Sequence, residues 1–169
     1  GPDVEEDTLY DTIITSIFTA QKRIWIVTPY FIPDELLLKS ICIAAKRNVD
    51  IRIIIPKVSN HHLADLVRRN YLREIQKAGA KIFLYKLGMV HGKVIIIDDS
   101  PAIIGSMNID MRSFFLNFEI ALFIYSKQIV SQLDSWINNL MKNSELGIKK
   151  TNMFVEFIEG FVRLLSPLL

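Results

Sequence analysis

The 169-residue chain carries 20 Lys and Arg against 18 Asp and Glu, a formal net charge of +2, and half of its residues are hydrophobic. With a mean hydropathy of +0.28 and a pI near 8.7, this composition excludes a disordered chain and supplies apolar surface for one core, while its mild charge does not call for nucleic acid as a partner. The single cysteine, Cys42, excludes an internal disulfide and favours a reducing compartment, and no unbroken apolar stretch reaches the roughly 18–20 residues of a membrane span.

In chain order, Asp7 and Thr8 precede an amphipathic helical stretch from Leu9 to Gln21, and Ile24 to Val27 reads as a buried strand broken by Thr28-Pro29. Pro33, with Asp34 and Glu35 in the first turn, opens a helix to about Arg47, and Ile51 to Ile55 is the next strand before Pro56. Ser59-Asn60 leads into a long helix to about Ala78, Gly79 stops it, and Lys81 to Tyr85 is a third strand. The alternation predicts an α/β fold with a mixed, largely parallel β-sheet sandwiched between helices. Basic residues cluster at Lys46-Arg47, at Arg68-Arg69 with Arg73, and at Lys149-Lys150. Such pairs meet anionic head groups or form solvated helix faces, and the second is the expectation here.

The chemistry-bearing segment is His91-Gly92-Lys93-Val94-Ile95-Ile96-Ile97-Asp98, followed six residues later by Gly105-Ser106-Met107-Asn108. Val94 to Ile97 has the β-branched continuity of a strand buried on both faces. Alternation places His91 and Lys93 on the same side at its entry end, with Gly92 between them. An imidazole that titrates near neutrality beside a compact ammonium suits phosphate chemistry, with the ring as nucleophile, acid or base. Asp98, ahead of the turn Asp99-Ser100-Pro101, anchors rather than reacts. Ala102 to Ile104 returns as a hairpin strand that delivers Ser106 and Asn108, donors for phosphoryl oxygens. Glu119 precedes another apolar strand, Ile120 to Ile124, from which its carboxylate would orient the imidazole of His91. The ordinary alternative for each residue alone is a strand end; their succession at these spacings argues for a site.

These residues resemble the phospholipase D superfamily, whose members pair two such motifs to exchange phosphodiester bonds through a phosphohistidine, and more closely the bacterial cardiolipin synthases. The similarity also runs through Thr28-Pro29-Tyr30-Phe31-Ile32-Pro33-Asp34, Arg112-Ser113-Phe114-Phe115-Leu116-Asn117-Phe118-Glu119 and Arg163-Leu164-Leu165-Ser166-Pro167-Leu168-Leu169. The order of blocks implies the C-terminal catalytic half of such a synthase. The resemblance makes His91 one of two active-site histidines, either nucleophile or acid. It makes Lys93, Ser106 and Asn108 the phosphate-binding groups, Asp98 a support, and Glu119 the orienter of His91. Gly92 stands where Ala is the more common family residue, which implies a slightly looser strand and unchanged chemistry. No His, Cys and carboxylate cluster shows metal-ligand spacing, His61 and His62 being adjacent, so catalysis without metal or cofactor is expected.

The implied partners are phosphatidylglycerol, a second motif-bearing lobe of the same protein or a second copy of the chain, and a membrane surface. The implied setting of the full-length protein is the bacterial inner membrane, with this domain on the cytoplasmic side. The expected organisation is a phospholipase D-like lobe over residues 1–145, then a linker and C-terminal amphipathic helix over 146–169. Asn143 to Asn152 is the weak linker, and Met153, Phe154, Phe157, Ile158 and Phe161 form much of an apolar stripe. That stripe suits packing on a lobe better than lying in a membrane interface, because its opposite face is not rich in Lys and Arg. Two competing functions remain open: the same chemistry with water as acceptor, in a homodimeric phosphodiesterase or nuclease, and a lipid-binding scaffold without catalysis.

Overall fold

A computed structural model describes residues 8–149, apart from the side chains at positions 62 and 63. The elements are α1 (Thr8–Thr19), β1 (Arg23–Val27), β2 (Phe31–Ile32), α2 (Glu35–Lys46), β3 (Asp50–Pro56), α3 (His62–Lys77) and β4 (Lys81–Tyr85). They continue as β5 (Val94–Ile97), β6 (Ala102–Gly105), β7 (Ile109–Asp110), α4 (Met111–Phe115), β8 (Ala121–Ile124), α5 (Lys127–Lys142) and β9 (Ser144–Leu146).

Seven strands make one sheet in the order β8-β6-β5-β1-β3-β4-β9, and β2 and β7 form a separate pair. Alternation sorts the side chains of the central strands to two faces. Ile24, Ile26, Ile51, Ile53, Ile95 and Ile97 pack with Ile13, Leu37, Leu38, Ile41, Val67 and Leu72 of α1, α2 and α3. Trp25, Val27, Ile54, Val94 and Ile96 turn the other way, onto Val130, Ile137 and Leu140 of α5. The sheet is therefore mixed and lies between helices, as the alternation predicts, but it is not largely parallel, its antiparallel pairs outnumbering the parallel ones four to two among the described residues. Its parallel part is confined to β1, β3 and β4, whereas the β1–β5, β5–β6, β6–β8 and β4–β9 pairs are antiparallel. The two parallel pairs are those joined by the α2 and α3 crossovers, which only parallel strands require.

Local signals account for the helix ends. Asp34 caps α2 by accepting the backbone N–H groups of Leu36 at 3.0 Å and Leu37 at 3.4 Å. Pro33 thus lies just ahead of the cap. On the opposite face, the Arg23 guanidinium grips Asp134 of α5 through two contacts of 2.9 Å, and it stacks with Arg52 on the Trp25 ring, their centres 4.6 and 4.3 Å from the ring centroid.

Two further expectations are corrected. The weak linker begins inside the fold: Ser144–Leu146 is a strand paired antiparallel with β4, Gly147 N–H donates to Ile82 O at 2.8 Å, and Ile148 is held by Gln76. Ser144-Glu145-Leu146 carries no strand pattern; the exposed edge of β4 recruits it through backbone hydrogen bonds. Arg68 is not on a solvated helix face but is 4% exposed, paired with Asp65 at 2.8 Å. The apolar stripe from Met153 onward lies outside the described residues. Among the described residues no helix is long and apolar enough to cross a membrane.

Candidate active site

Strand register assembles the site. β5 runs antiparallel to β1, so the entry end of β5 lies beside the exit end of β1, with Val94 opposite Val27. β6 then pairs with β5, Gly105 N–H donating to Lys93 O at 3.2 Å. β8 pairs with β6, Ala121 opposite Gly105, and Ser106 N–H donates to Ile120 O at 3.0 Å. Lys93, Gly105-Ser106 and Glu119-Ile120 thus line one sheet edge side by side. Asn108 joins them through the parallel β2–β7 pair, in which Phe31 faces Ile109, and the buried Thr28 hydroxyl accepts the Ile109 N–H at 3.4 Å.

His91 and Lys93 sit together as alternation predicts. The Lys93 ammonium lies 3.4 Å from both ring nitrogens of His91 and donates to its carbonyl oxygen at 3.0 Å. Burial pushes the ammonium below the ordinary lysine value, opposed by the negative charges of Glu119 and Asp110. A partly desolvated cation beside an imidazole is chemically suited to an anion. Asn108 adds to this: its backbone N–H donates to Ser113 Oγ at 3.1 Å, while its side-chain Oδ1 is buried without a hydrogen-bond partner among the described residues. What is unmet is an acceptor, so it is the Nδ2 end of the amide, not this oxygen, that has hydrogens to offer an anion.

Ser106 and Glu119 meet each other rather than His91. Ser106 Oγ donates to Glu119 Oε2 and accepts the Ile120 N–H at 3.0 Å, and Asn117 Nδ2 donates to Glu119 Oε1 at 3.1 Å. Both carboxylate oxygens are thereby engaged. No hydrogen bond joins Glu119 to His91 among the described residues, so Glu119 acts on the pair through its charge on Lys93. Asn117 is a partner that no motif spacing singles out: it sits in the bend after α4, its N–H donating to Arg112 O at 3.0 Å, and only the fold brings its amide onto Glu119.

Asp98 lies at the far end of β5 and is not part of the reacting cluster. With φ of 52°, it turns its carboxylate onto the backbone N–H groups of Gln21, Lys22 and Arg23 at 2.6–3.1 Å. Burial would raise its pKa, but those three N–H groups and the Lys22 charge outweigh it, so Asp98 is held below the usual carboxylate range. It fastens the β5–β6 turn to the α1–β1 connection.

The two glycines of the motif have different reasons. A Cβ on Gly92 would stand 2.7 Å from the far end of the Trp136 ring of α5, so this residue makes room for a covering indole rather than merely loosening a strand. A Cβ on Gly105 would stand 2.4 Å from the Ile120 carbonyl oxygen, so here the close approach of β8 requires glycine. Trp136 belongs to no local motif and only the packing of α5 reveals it.

A single lobe with one His-x-Lys edge, a seven-stranded mixed sheet and helices on both faces defines a phospholipase D-like domain. The family model described as "Cardiolipin synthase, PLD-like domain" matches residues 13–141, and the chain belongs to that family. Cardiolipin synthase from Listeria monocytogenes is 40% identical over 173 residues, covering 100% of this chain and 36% of the relative. Cardiolipin synthase 2 from Bacillus anthracis is 38% identical, covering 100% and 34%. The chain thus spans little more than a third of the curated relatives it matches. Among solved structures the fold is shared with Nuc, a phospholipase D family member from Salmonella typhimurium, at 21% identity and a TM-score of 0.72 over 83% of this chain and 91% of that one. It is shared too with phosphatidylserine synthase from Haemophilus influenzae, at 18% identity and a TM-score of 0.69 over 95% and 43%.

Proposed function

We propose that this chain is one catalytic half of a cardiolipin synthase, completed by a second motif-bearing lobe at a membrane surface. In the complete site one histidine of the pair attacks the phosphorus of phosphatidylglycerol, forming a P–N bond as the bond to the glycerol oxygen breaks. The other histidine gives that oxygen its proton, and glycerol leaves. The hydroxyl of a second phosphatidylglycerol, deprotonated by the same group, then attacks phosphorus, breaks the P–N bond and yields cardiolipin. His91 takes one of these two roles. Lys93 and the Asn108 Nδ2 group hold non-bridging oxygens as charge develops on them, Ser106 holds Glu119 in place instead of meeting the phosphate, and Glu119 balances the Lys93 charge.

The observation that carries this reading is the partly buried Lys93 ammonium beside the His91 ring. The identity to cardiolipin synthases along the whole chain supports the choice of lipid and alcohol, and through it the inner-membrane, cytoplasmic-face setting of the full-length protein. Replacing His91 by Ala in the full-length enzyme is expected to abolish cardiolipin formation from phosphatidylglycerol in vesicles. Synthesis at the native rate would overturn the assignment.

The presence of one motif in the chain favours a second reading, in which two copies form a phosphodiesterase that uses water. Its mark would be hydrolysis by the chain alone. If nucleic acid were the substrate, binding would fall steeply with salt, for which the net charge of +2 gives little basis.

A further inference from the structure

A cavity of about 670 Å³ opens on the other side of β4 from β1, between α3 and the segment that follows β9. Its walls are tied by hydrogen bonds. Gln76 accepts the Ile148 N–H at 2.7 Å and donates to the Ile148 carbonyl at 3.3 Å, Arg73 donates to Lys149 O at 2.8 Å, and Lys57 reaches Glu145 at 2.6 Å. The volume lies within the roughly 300–1,000 Å³ of ligand pockets.

Five cations line it against two carboxylates, and one of those cations is buried. Arg68 is 4% exposed; its Nη2 donates to Pro56 O at 2.8 Å and Lys57 O at 3.2 Å and stands 2.8 Å from Asp65. Its Nη1 is buried without a hydrogen-bond partner among the described residues. The Asp65 Oδ1 beside it is likewise buried without a hydrogen bond among the described residues, so the ion pair is made through charge and leaves the Nη1 donor open to a further acceptor. Arg69 lies on the same wall, exposed and without an ion pair among the described residues, and Leu66, Leu72 and Ile148 supply apolar surface.

We infer that this cavity is a second anion site, separate from the His91 edge, that takes a phosphate group. Free phosphate and the head group of an anionic phospholipid share that chemistry. A head group seated here would hold the lobe against anionic lipid without occupying the reacting groups.

The test is a titration of the isotope-labelled chain followed by amide NMR shifts, using inorganic phosphate, monomeric dihexanoyl phosphatidylglycerol and dihexanoyl phosphatidylcholine as probes. Saturable shifts at the Leu72, Gly147 and Ile148 amides with phosphate would assign the site to phosphate itself. Shifts there with phosphatidylglycerol but not with phosphate would assign it to a lipid head group. In the double variant Arg69→Gln/Lys149→Gln, whose exposed side chains spare the fold, binding should weaken by about tenfold. Arg68→Gln should remove it, with the double variant deciding the matter if Arg68→Gln does not fold. The inference is overturned if the cavity amides do not respond to phosphate or phosphatidylglycerol, if phosphatidylcholine acts equally, or if the double variant binds as tightly as the native chain. Shifts at Gly92 and Ser106 report the His91 edge separately, so failure at the cavity leaves the catalytic proposal standing, and the reverse holds too.

Discussion

Gly92 and Gly105 lie in the same motif, yet what their missing side chains avoid differs in kind. At Gly92 the obstacle is the end of an indole on a surface helix, which can swing; at Gly105 it is a backbone carbonyl in a paired strand, which cannot. Gly92→Ala is therefore expected to cost about 1 kcal/mol or less, and the cost should vanish when Trp136 is also replaced by Leu. Gly105→Ala should cost about 2–3 kcal/mol, because β8 must move away from β6. Urea midpoints of the single variants and the Gly92/Trp136 pair measure both. The pairing of His91 with Lys93 was legible residue by residue, since it needs only the alternation of side chains. The engagement of Glu119 by Ser106 and Asn117 was not, since it depends on which residue of β8 comes to lie opposite Gly105.

At the level of elements, Asp98 joins two connections that are 75–77 residues apart in sequence. Replacing it by Asn removes the charge from three hydrogen bonds and should cost about 1–2 kcal/mol at pH 7, allowing for partial exposure. The pH dependence has a definite sign. Asp98 has a lowered pKa in the folded state, so its contribution is fully present above the ordinary aspartate value of about 4 and fades as pH falls through the lower folded value. The stability gap between the native chain and Asp98→Asn, followed by denaturant unfolding from pH 7 downward, should close in that acid window. A gap constant with pH would show that the carboxylate charge is not what anchors the turn. The helices and inner strands were visible as apolar periods and caps. β9 was not, because Ser144, Glu145 and Leu146 have no strand pattern of their own and pair only because β4 offers them an open edge.

At the scale of the molecule, the sheet ends beside the site on an edge strand, β8, that no other strand covers among the described residues. Phe118, Ile120 and Leu122 alternate onto one side of β8 and its approach and are 73%, 71% and 64% exposed. An exposed apolar edge of this kind is characteristic of an interface. It supports the proposal that a second lobe docks next to His91 and brings its own histidine to the same phosphate. Substituting Phe118→Lys and Leu122→Lys should change the stability of the isolated chain by no more than about 0.5 kcal/mol. Light scattering over a wide concentration range should show the native chain self-associating and the double variant remaining monomeric. A native chain monomeric at every concentration would remove this edge as a surface that joins two copies of the chain, and with it the water-using homodimer.

What the amino-acid sequence determined by itself is local and periodic: the α/β alternation, the doubly buried β5, the His91-x-Lys93 pair and the succession of motif residues that carries the family likeness. Alternation along a strand and 3.6-residue periodicity along a helix are properties of a single segment, so they can be read without knowing its neighbours. Only the tertiary structure decided that Asp98 holds the α1–β1 connection, that Glu119 answers to Ser106 and Asn117, that Trp136 covers Gly92, and that Arg68 lines a cavity instead of facing solvent. Each of these depends on register and packing between segments distant in sequence, and the energy that selects one register over another belongs to the assembled sheet and its two helical layers rather than to any segment alone.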